Sequence, residues 1–223
     1  MTGWDVSPKE LKAICEFQYF FGANKTCQHL LPYAEYGERK NDHPTHFTPI
    51  NPWVNASYAK YNEYFDKLGG ILQQGKEFVN VALLHSMRSS YFEYDKNDSS
   101  SVWEIDNALI SYSEYLAKNG IGFHYLDETL LAKYGFVNGA KIGCGKCEYD
   151  YLIIPKCYTM DKTTEELLHK YIENGGKVLL ADDKPTYLET EEYDYSYLKS
   201  TTTFEEIKKS QPYLIDCFYD KLY

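Results

Sequence analysis

The sequence predicts an α/β protein built on an open, mainly parallel, doubly wound sheet. Three observations carry that expectation. Buried-type apolar segments recur at 79–85, 122–126, 150–155 and 177–182. Segments of helical pattern lie between them, at 102–118, 128–133 and 163–173. Turn signals close two of those helices, Asn119-Gly120 and Asn174-Gly175-Gly176. Continuous apolar strands alternating with helices are the pattern of a parallel sheet covered on both faces.

The chain ahead of this alternation reads differently. Ser7-Pro8-Lys9-Glu10 is a helix start, with Ser7 as N-cap, Pro8 at the first helical position and Glu10 at capping-box spacing. Leu11, Ile14, Cys15, Phe17 and Gln18 follow at near-helical spacing, and Gly22 stops the helix. Residues 24–31 form a strand candidate closed by Pro32. Residues 33–52 are polar, with prolines at 44, 49 and 52, and read as a long connection. A second helix follows Asn51-Pro52. Trp53, Tyr58, Tyr61, Tyr64, Phe65, Leu68, Ile71 and Leu72 hold one face of it, and Gly75 ends it. Further on, 141–143 fits a short strand. Beyond 185 the pattern weakens into an acidic, Tyr-rich stretch and a terminal helix near 203–209.

Composition narrows the function. Of 223 residues, 43% are hydrophobic and 25% charged, the range of a water-soluble globular chain. The net charge of −10 opposes nucleic acid and anionic membrane surfaces, both of which demand a cationic face. No apolar run approaches the roughly eighteen residues of a membrane span, and Met1-Thr2-Gly3-Trp4-Asp5 lacks the pattern of a signal peptide. The 23 tyrosines offer apolar faces and hydroxyls, which suits a sugar partner as well as an ordinary core. Six cysteines give no disulfide framework; Cys15, Cys27, Cys157 and Cys217 read as isolated, buried free thiols, and reduced cysteine fits cytoplasmic expression of this chain. A longer parent could be periplasmic or secreted.

Gly3-Trp4-Asp5 with residues 7–12, Gly22-Ala23-Asn24, the run 27–33, Gly37-Glu38-Arg39-Lys40 with Pro44, and Asn51-Pro52-Trp53 carry a resemblance. They resemble the end of the (β/α)8 barrel in rhamnosidase-like and β-galactosidase-like glycoside hydrolases of multi-domain bacterial proteins. The parts are the helix after the seventh strand, the eighth strand, and the loop into the last helix. His85, Tyr149-Asp150 and Gly175-Gly176-Lys177-Val178 are similar to the flavodoxin-like domain that follows such barrels. That domain is related in shape to glutamine amidotransferases and to the β-galactosidase trimerisation domain. The resemblance implies three parts: a barrel remnant of helix, strand, loop and helix over 1–75, a flavodoxin-like domain over 76–188, and an acidic tail with a terminal helix over 189–223. It implies substrate-binding roles in the parent enzyme for Gln28, His29, Tyr33 and Arg39, and carbohydrate as the partner. It carries over no catalytic residue. Glycosidases need two carboxylates flanking the bond, and in such barrels these lie at the ends of earlier strands.

The remaining motifs have plainer readings. Cys144-Gly145-Lys146-Cys147 lacks the two further ligands that zinc needs, and it precedes a strand rather than opening a helix as a thioredoxin-like pair does. His85-Ser86 follows a strand where flavodoxin-like folds bind ligands, but no phosphate-cradling glycine pattern is present. Arg88 with Ser99, Ser100 and Ser101 could hold an anion, though an ordinary N-cap suffices. No cysteine is expected on the strand–helix turn where an amidotransferase nucleophile belongs. The acidic stretch 189–197 lacks calcium-loop spacing and reads as a solvated, mobile face. No cofactor and no metal is therefore expected. The expected function is a non-catalytic segment of a carbohydrate-cleaving enzyme with a structural, oligomerising α/β domain. Alternatives are a free-standing flavodoxin-like binding protein with a helical appendage, or a small enzyme using His29, Glu35 or Asp42. A homodimer is expected, because a lone strand at 24–31 and two apolar helix faces need partners.

Overall fold

The computed structural model describes residues 7–27, 52–74 and 77–212. The chain divides into two compact units, Met1–Glu77 and Phe78–Tyr223.

In the first unit, α1 (Pro8–Phe20) begins as the sequence predicts. Ser7 Oγ accepts the Glu10 N–H at 3.3 Å, and Glu10 Oε2 accepts the Ser7 N–H at 2.8 Å. This reciprocal pairing satisfies donors that a bare helix end leaves open. Helix α2 (Pro52–Leu72) packs against α1 through Leu11 and Tyr19 on one side and Tyr61 and Phe65 on the other. Cys15 lies between them, its Sγ 2.8 Å from the Tyr61 hydroxyl.

The strand candidate at 24–31 is not borne out over 24–27, which carry no strand; residues 28–31 lie outside the described residues. A strand needs a neighbouring ladder to take its backbone groups. The Asn24 carbonyl is committed instead to α2, where Gln73 Nε2 donates to it at 3.2 Å. The approach is close enough that a Cβ on Gly69 would stand 2.6 Å from that oxygen. Nor does α2 bury the whole face that its spacing suggests, since Tyr64, Ile71 and Leu72 are exposed. Cys27 is exposed as well, not a buried thiol.

The second unit contains the expected parallel sheet. Four strands, β1 (Val81–His85), β2 (Phe123–Asp127), β6 (Tyr151–Ile154) and β8 (Lys177–Leu180), lie in the order β2-β1-β6-β8. All three pairings are parallel. Side chains alternate between faces, so each strand feeds two cores. Val81, Leu83, Tyr151, Ile153 and Leu179 face one side, where helix α4 (Ser100–Lys118) brings Leu116 and helix α7 (Phe204–Lys209) brings Ile207. Ala82, Leu84, Leu152, Ile154 and Val178 face the other. There α5 (Glu128–Tyr134) supplies Leu131, and α6 (Lys162–Glu173) supplies Leu168 and Tyr171. This is an α/β fold with helices on both faces, and the order matches the flavodoxin-like start in which the second strand lies outside the first.

The short strand expected at 141–143 is the middle of a three-stranded antiparallel sheet of β3 (Gly135–Asn138), β4 (Lys141–Cys144) and β5 (Cys147–Tyr149). Three- and four-residue strands are too short to show a period in sequence. At the far end of α6, Gly175 takes φ +83, and a Cβ on Gly176 would stand 2.4 Å from the Tyr171 ring. The bare backbone there lets Tyr171 lie across the chain. Its hydroxyl donates to the Asp150 carbonyl at 2.8 Å and accepts the Lys177 N–H at 2.9 Å.

The acidic stretch 189–197 is a solvated face only in part: residues 189–194 and 196 are exposed, but Tyr195 is buried and Tyr197 half-buried. Tyr195 and Leu198 are buried in the core beneath α6. Tyr193 and Tyr197 both donate to Glu165 Oε1, at 2.9 and 3.0 Å. Carboxylates and phenols alternate here, and Tyr195 carries its apolar ring inward, which a count of charges does not reveal. Strand β9 (Tyr187–Leu188) pairs with β10 (Glu191–Glu192) and with β7 (Thr159–Met160), extending the α6 side of the unit.

Candidate functional site

In doubly wound sheets the loops at the carboxyl ends of the strands form the ligand crevice, beside the strand where the order reverses. Here that strand is β1, flanked by β2 and β6. His85 ends β1, and Ser86 leads into α3 (Met87–Phe92). One α3 residue fixes the neighbouring loop: Ser89 Oγ donates to the Thr159 carbonyl at 2.8 Å and accepts the N–H groups of Tyr158 and Thr159, each at 3.0 Å.

Three acidic groups around this end are already committed. Asp127 caps α5, accepting the N–H groups of Thr129 at 2.9 Å and Leu130 at 3.2 Å, and its other oxygen stands 3.8 Å from His85 Nδ1. Asp161 takes Arg88 Nε at 3.1 Å. Glu128 is 2% exposed, and its Oε1 accepts the Asp161 N–H at 2.9 Å. Burial pushes the Glu128 carboxyl up to about 7. Its Oε2 and the Thr164 hydroxyl are both buried without a hydrogen bond of good geometry, although Thr164 is near enough to favour the charged form. Proton-transfer groups often show such shifts, but they must also reach a substrate. An enclosed Glu128 that ties α5 to the start of α6 reads as structural.

The cysteine nearest the strand–helix turn expected of an amidotransferase nucleophile is Cys157. Cys157 follows β6 by three residues and precedes β7, so it stands between two strands and not on such a turn. It is buried, and that burial holds its thiol well above the usual range, so the nucleophilic thiolate is disfavoured. Ser99 is the N-cap of α4 but makes no capping bond; Asp98 does that work, accepting the Ser100 N–H at 2.9 Å. Cys144 and Cys147 face each other across the β4–β5 turn, where Gly145 takes φ +63. The Cys144 thiol is raised by burial first and then by Cys147 and Asp127. Among the described residues, no group of three or more His, Cys, Asp or Glu side chains could hold a metal ion.

Gln28, His29, Tyr33 and Arg39 lie outside the described residues, as do Glu35 and Asp42. The structure singles out two residues that sequence reasoning did not develop, Glu128 and Ser86. Glu128 carried no signal, because a glutamate opening a helix is ordinarily solvated. Ser86 was placed at the right strand end, but its burial depends on α3 and α4 closing around it. Between those two helices, a cleft of about 380 Å³ opens beside His85 and Ser86.

The fold and this strand-end arrangement define an α/β protein with a four-stranded parallel sheet wrapped by helices. Neither a family model nor a curated protein sequence matches the chain. Among solved structures, it is similar to a rhamnosidase from Novosphingobium sp. PP1Y, with a TM-score of 0.52 and 14% sequence identity. The likeness covers 80% of this chain and 16% of that protein, so the chain spans about a sixth of its length. At that identity the likeness is one of fold. No helix among the described residues is long and apolar enough to cross a membrane.

Proposed function

We propose that this chain is a non-catalytic segment of a carbohydrate-cleaving glycoside hydrolase, with the unit Phe78–Tyr223 as a structural and oligomerising module. The likeness in fold to 16% of a rhamnosidase, extending over 80% of this chain, carries the reading. In it, residues 1–75 are the end of a barrel, and Gln28, His29, Tyr33 and Arg39 meet the sugar in the complete enzyme. The commitments of Asp127, Glu128 and Asp161 to caps and ion pairs support a structural module. A homodimer is part of the proposal. Its support is the exposure of Phe17, Phe20 and Phe21 near the end of α1 and of Ile71 and Leu72 on α2. Residues 24–27, which form no strand, contribute nothing to it.

Screening aryl rhamnosides and galactosides against the purified chain tests the first part, with background rates expected. Turnover abolished by Glu35→Gln or Asp42→Asn would defeat it. Light scattering tests the second, with a mass near twice 26.0 kDa expected and a monomer counting against it. The two-sided core of the second unit favours one other reading, a free-standing binding protein with a helical appendage. The reading frame upstream of the chain distinguishes the two: barrel strands there belong to the first reading only.

A further inference from the structure

The thiol pair of the β4–β5 hairpin has no role in the proposed glycosidase segment, and its chemistry goes beyond that reading. The register of the two strands sets Cys144 directly opposite Cys147. Opposed residues of an antiparallel ladder share one face, with Cα atoms about 4.5–5.5 Å apart. A disulfide spans about 4.4–6.8 Å between Cα atoms, so side-chain rotation with little shift of either strand can close one here. The next pair on the same face, Ile142 and Tyr149, is buried in the core and holds the register. At the turn, Gly145 takes φ +63, and its N–H donates to the Tyr134 carbonyl at 3.1 Å. The backbone that presents the thiols is thus held both at the core and at the turn.

The two sulfurs differ in access. Cys147 is exposed, whereas Cys144 is half-buried, its Sγ 3.6 Å from the Leu130 carbonyl of α5. Burial first, then Cys147 and Asp127, hold the Cys144 thiol above its usual range, which makes it the poorer first nucleophile. A cross-link stabilises a fold more the longer the loop it closes, and this one would enclose only Gly145 and Lys146. Such a bond adds little to stability and follows the balance of thiol and disulfide around it. We propose that Cys144 and Cys147 form a reversible disulfide site, closed by exchange with a small-molecule disulfide. The Cys147 thiolate attacks one carrier sulfur, and the first carrier thiolate leaves. Cys144 then gives its proton to solvent and attacks the Cys147 sulfur, expelling the second carrier thiolate. One carrier disulfide is consumed and one protein disulfide forms. Two electrons pass from the cysteines to the carrier, whose thiolates take up the two protons that the cysteines lose. Closure removes the S–H that Cys144 offers to the Leu130 carbonyl.

Peptide mapping of the full chain tests this, because trypsin cuts between the two cysteines, after Lys146. The reduced protein is incubated with oxidised glutathione, its remaining thiols are alkylated, and it is digested without reductant. Residues 142–146 should be recovered joined to residues 147–156 in most chains, and dithiothreitol should separate them again. Cys144→Ser should stop the reaction at a glutathione adduct on Cys147. Absence of the joined peptides would overturn the assignment. So would a glutathione adduct that persists on Cys147 of the unaltered chain, or preferential linkage of either cysteine to Cys157. Neither the hydrolysis assay nor light scattering reads these thiols, so this site and the proposed parent enzyme can fail separately.

Discussion

Between α1 and α2, the described core is four buried side chains: Leu11, Tyr19, Tyr61 and Phe65. In the sheet unit, fifteen buried residues lie against one face and eight against the other. The difference follows from geometry. Each strand of a parallel sheet delivers alternate side chains to two layers of helices, whereas a pair of helices shares one stripe. Residues at the centre of the sheet, such as Leu83 and Ile153, are therefore fully buried, while several large apolar residues of the two helices stay exposed. Phe17, six residues from Leu11 and two from Tyr19, lies off their face and is 65% exposed, and Ile71 is 68% exposed. Apolar periodicity marks the face that can be buried; the number of layers around it decides how much is.

Substitutions in the two cores should show the contrast directly. Leu83→Ala, at the centre of β1, should cost about 2–5 kcal/mol in denaturant unfolding, because the cavity is enclosed by helix and sheet. Leu11→Ala should cost less, near the lower end of that range at about 2 kcal/mol, since among the described residues its buried cluster holds only three other side chains. Equal losses would mean that the helical unit is as tightly enclosed as the sheet.

The sheet unit should also carry a pH dependence of its own. Glu128 holds its proton up to about pH 7 when folded, against an ordinary value of 4.5. Between those limits the folded state keeps a proton that the unfolded state has lost, so stability should fall as pH rises through the window and level off above it. The full effect is at most about 3 kcal/mol. Glu128→Gln keeps the acceptor for the Asp161 N–H and should flatten the curve from pH 5 to about pH 8, leaving the variant at least as stable as the wild type at the upper end. An unchanged slope would place the titration elsewhere.

A smaller effect is expected at the opposite end of the sheet. Tyr171→Phe removes one hydroxyl that serves both Asp150 and Lys177 and leaves those backbone groups to find other partners. The loss should be about 1–3 kcal/mol, with faster hydrogen exchange at the Lys177 amide as its local mark. Smallest of all is Phe17→Ala, expected to change stability by no more than about 0.5 kcal/mol. If instead it dissolves a dimer in light scattering, its exposure in the single chain marks an interface and sharpens the comparison.

The sequence by itself determined the class of fold. Runs such as Val81–His85 and Tyr151–Ile154 are apolar at nearly every position, and only a strand covered on both sides has a use for that. The start of α1 was equally legible, because Ser7, Pro8 and Glu10 act on one another within a single turn. What tertiary structure alone decided depends on groups far apart in the chain. Asn24 spends its carbonyl on Gln73 rather than on a strand. Glu128 becomes a buried acid because α6 closes over it through Asp161. Tyr195 turns an acidic stretch into part of the core. Ser86 gains its cleft only when α4, beginning fourteen residues later, folds back beside it. Local patterns fix which elements form, since their hydrogen bonds close within a few residues. Burial, and with it the chemistry of each polar group, is set by whichever distant segment arrives to exclude the water.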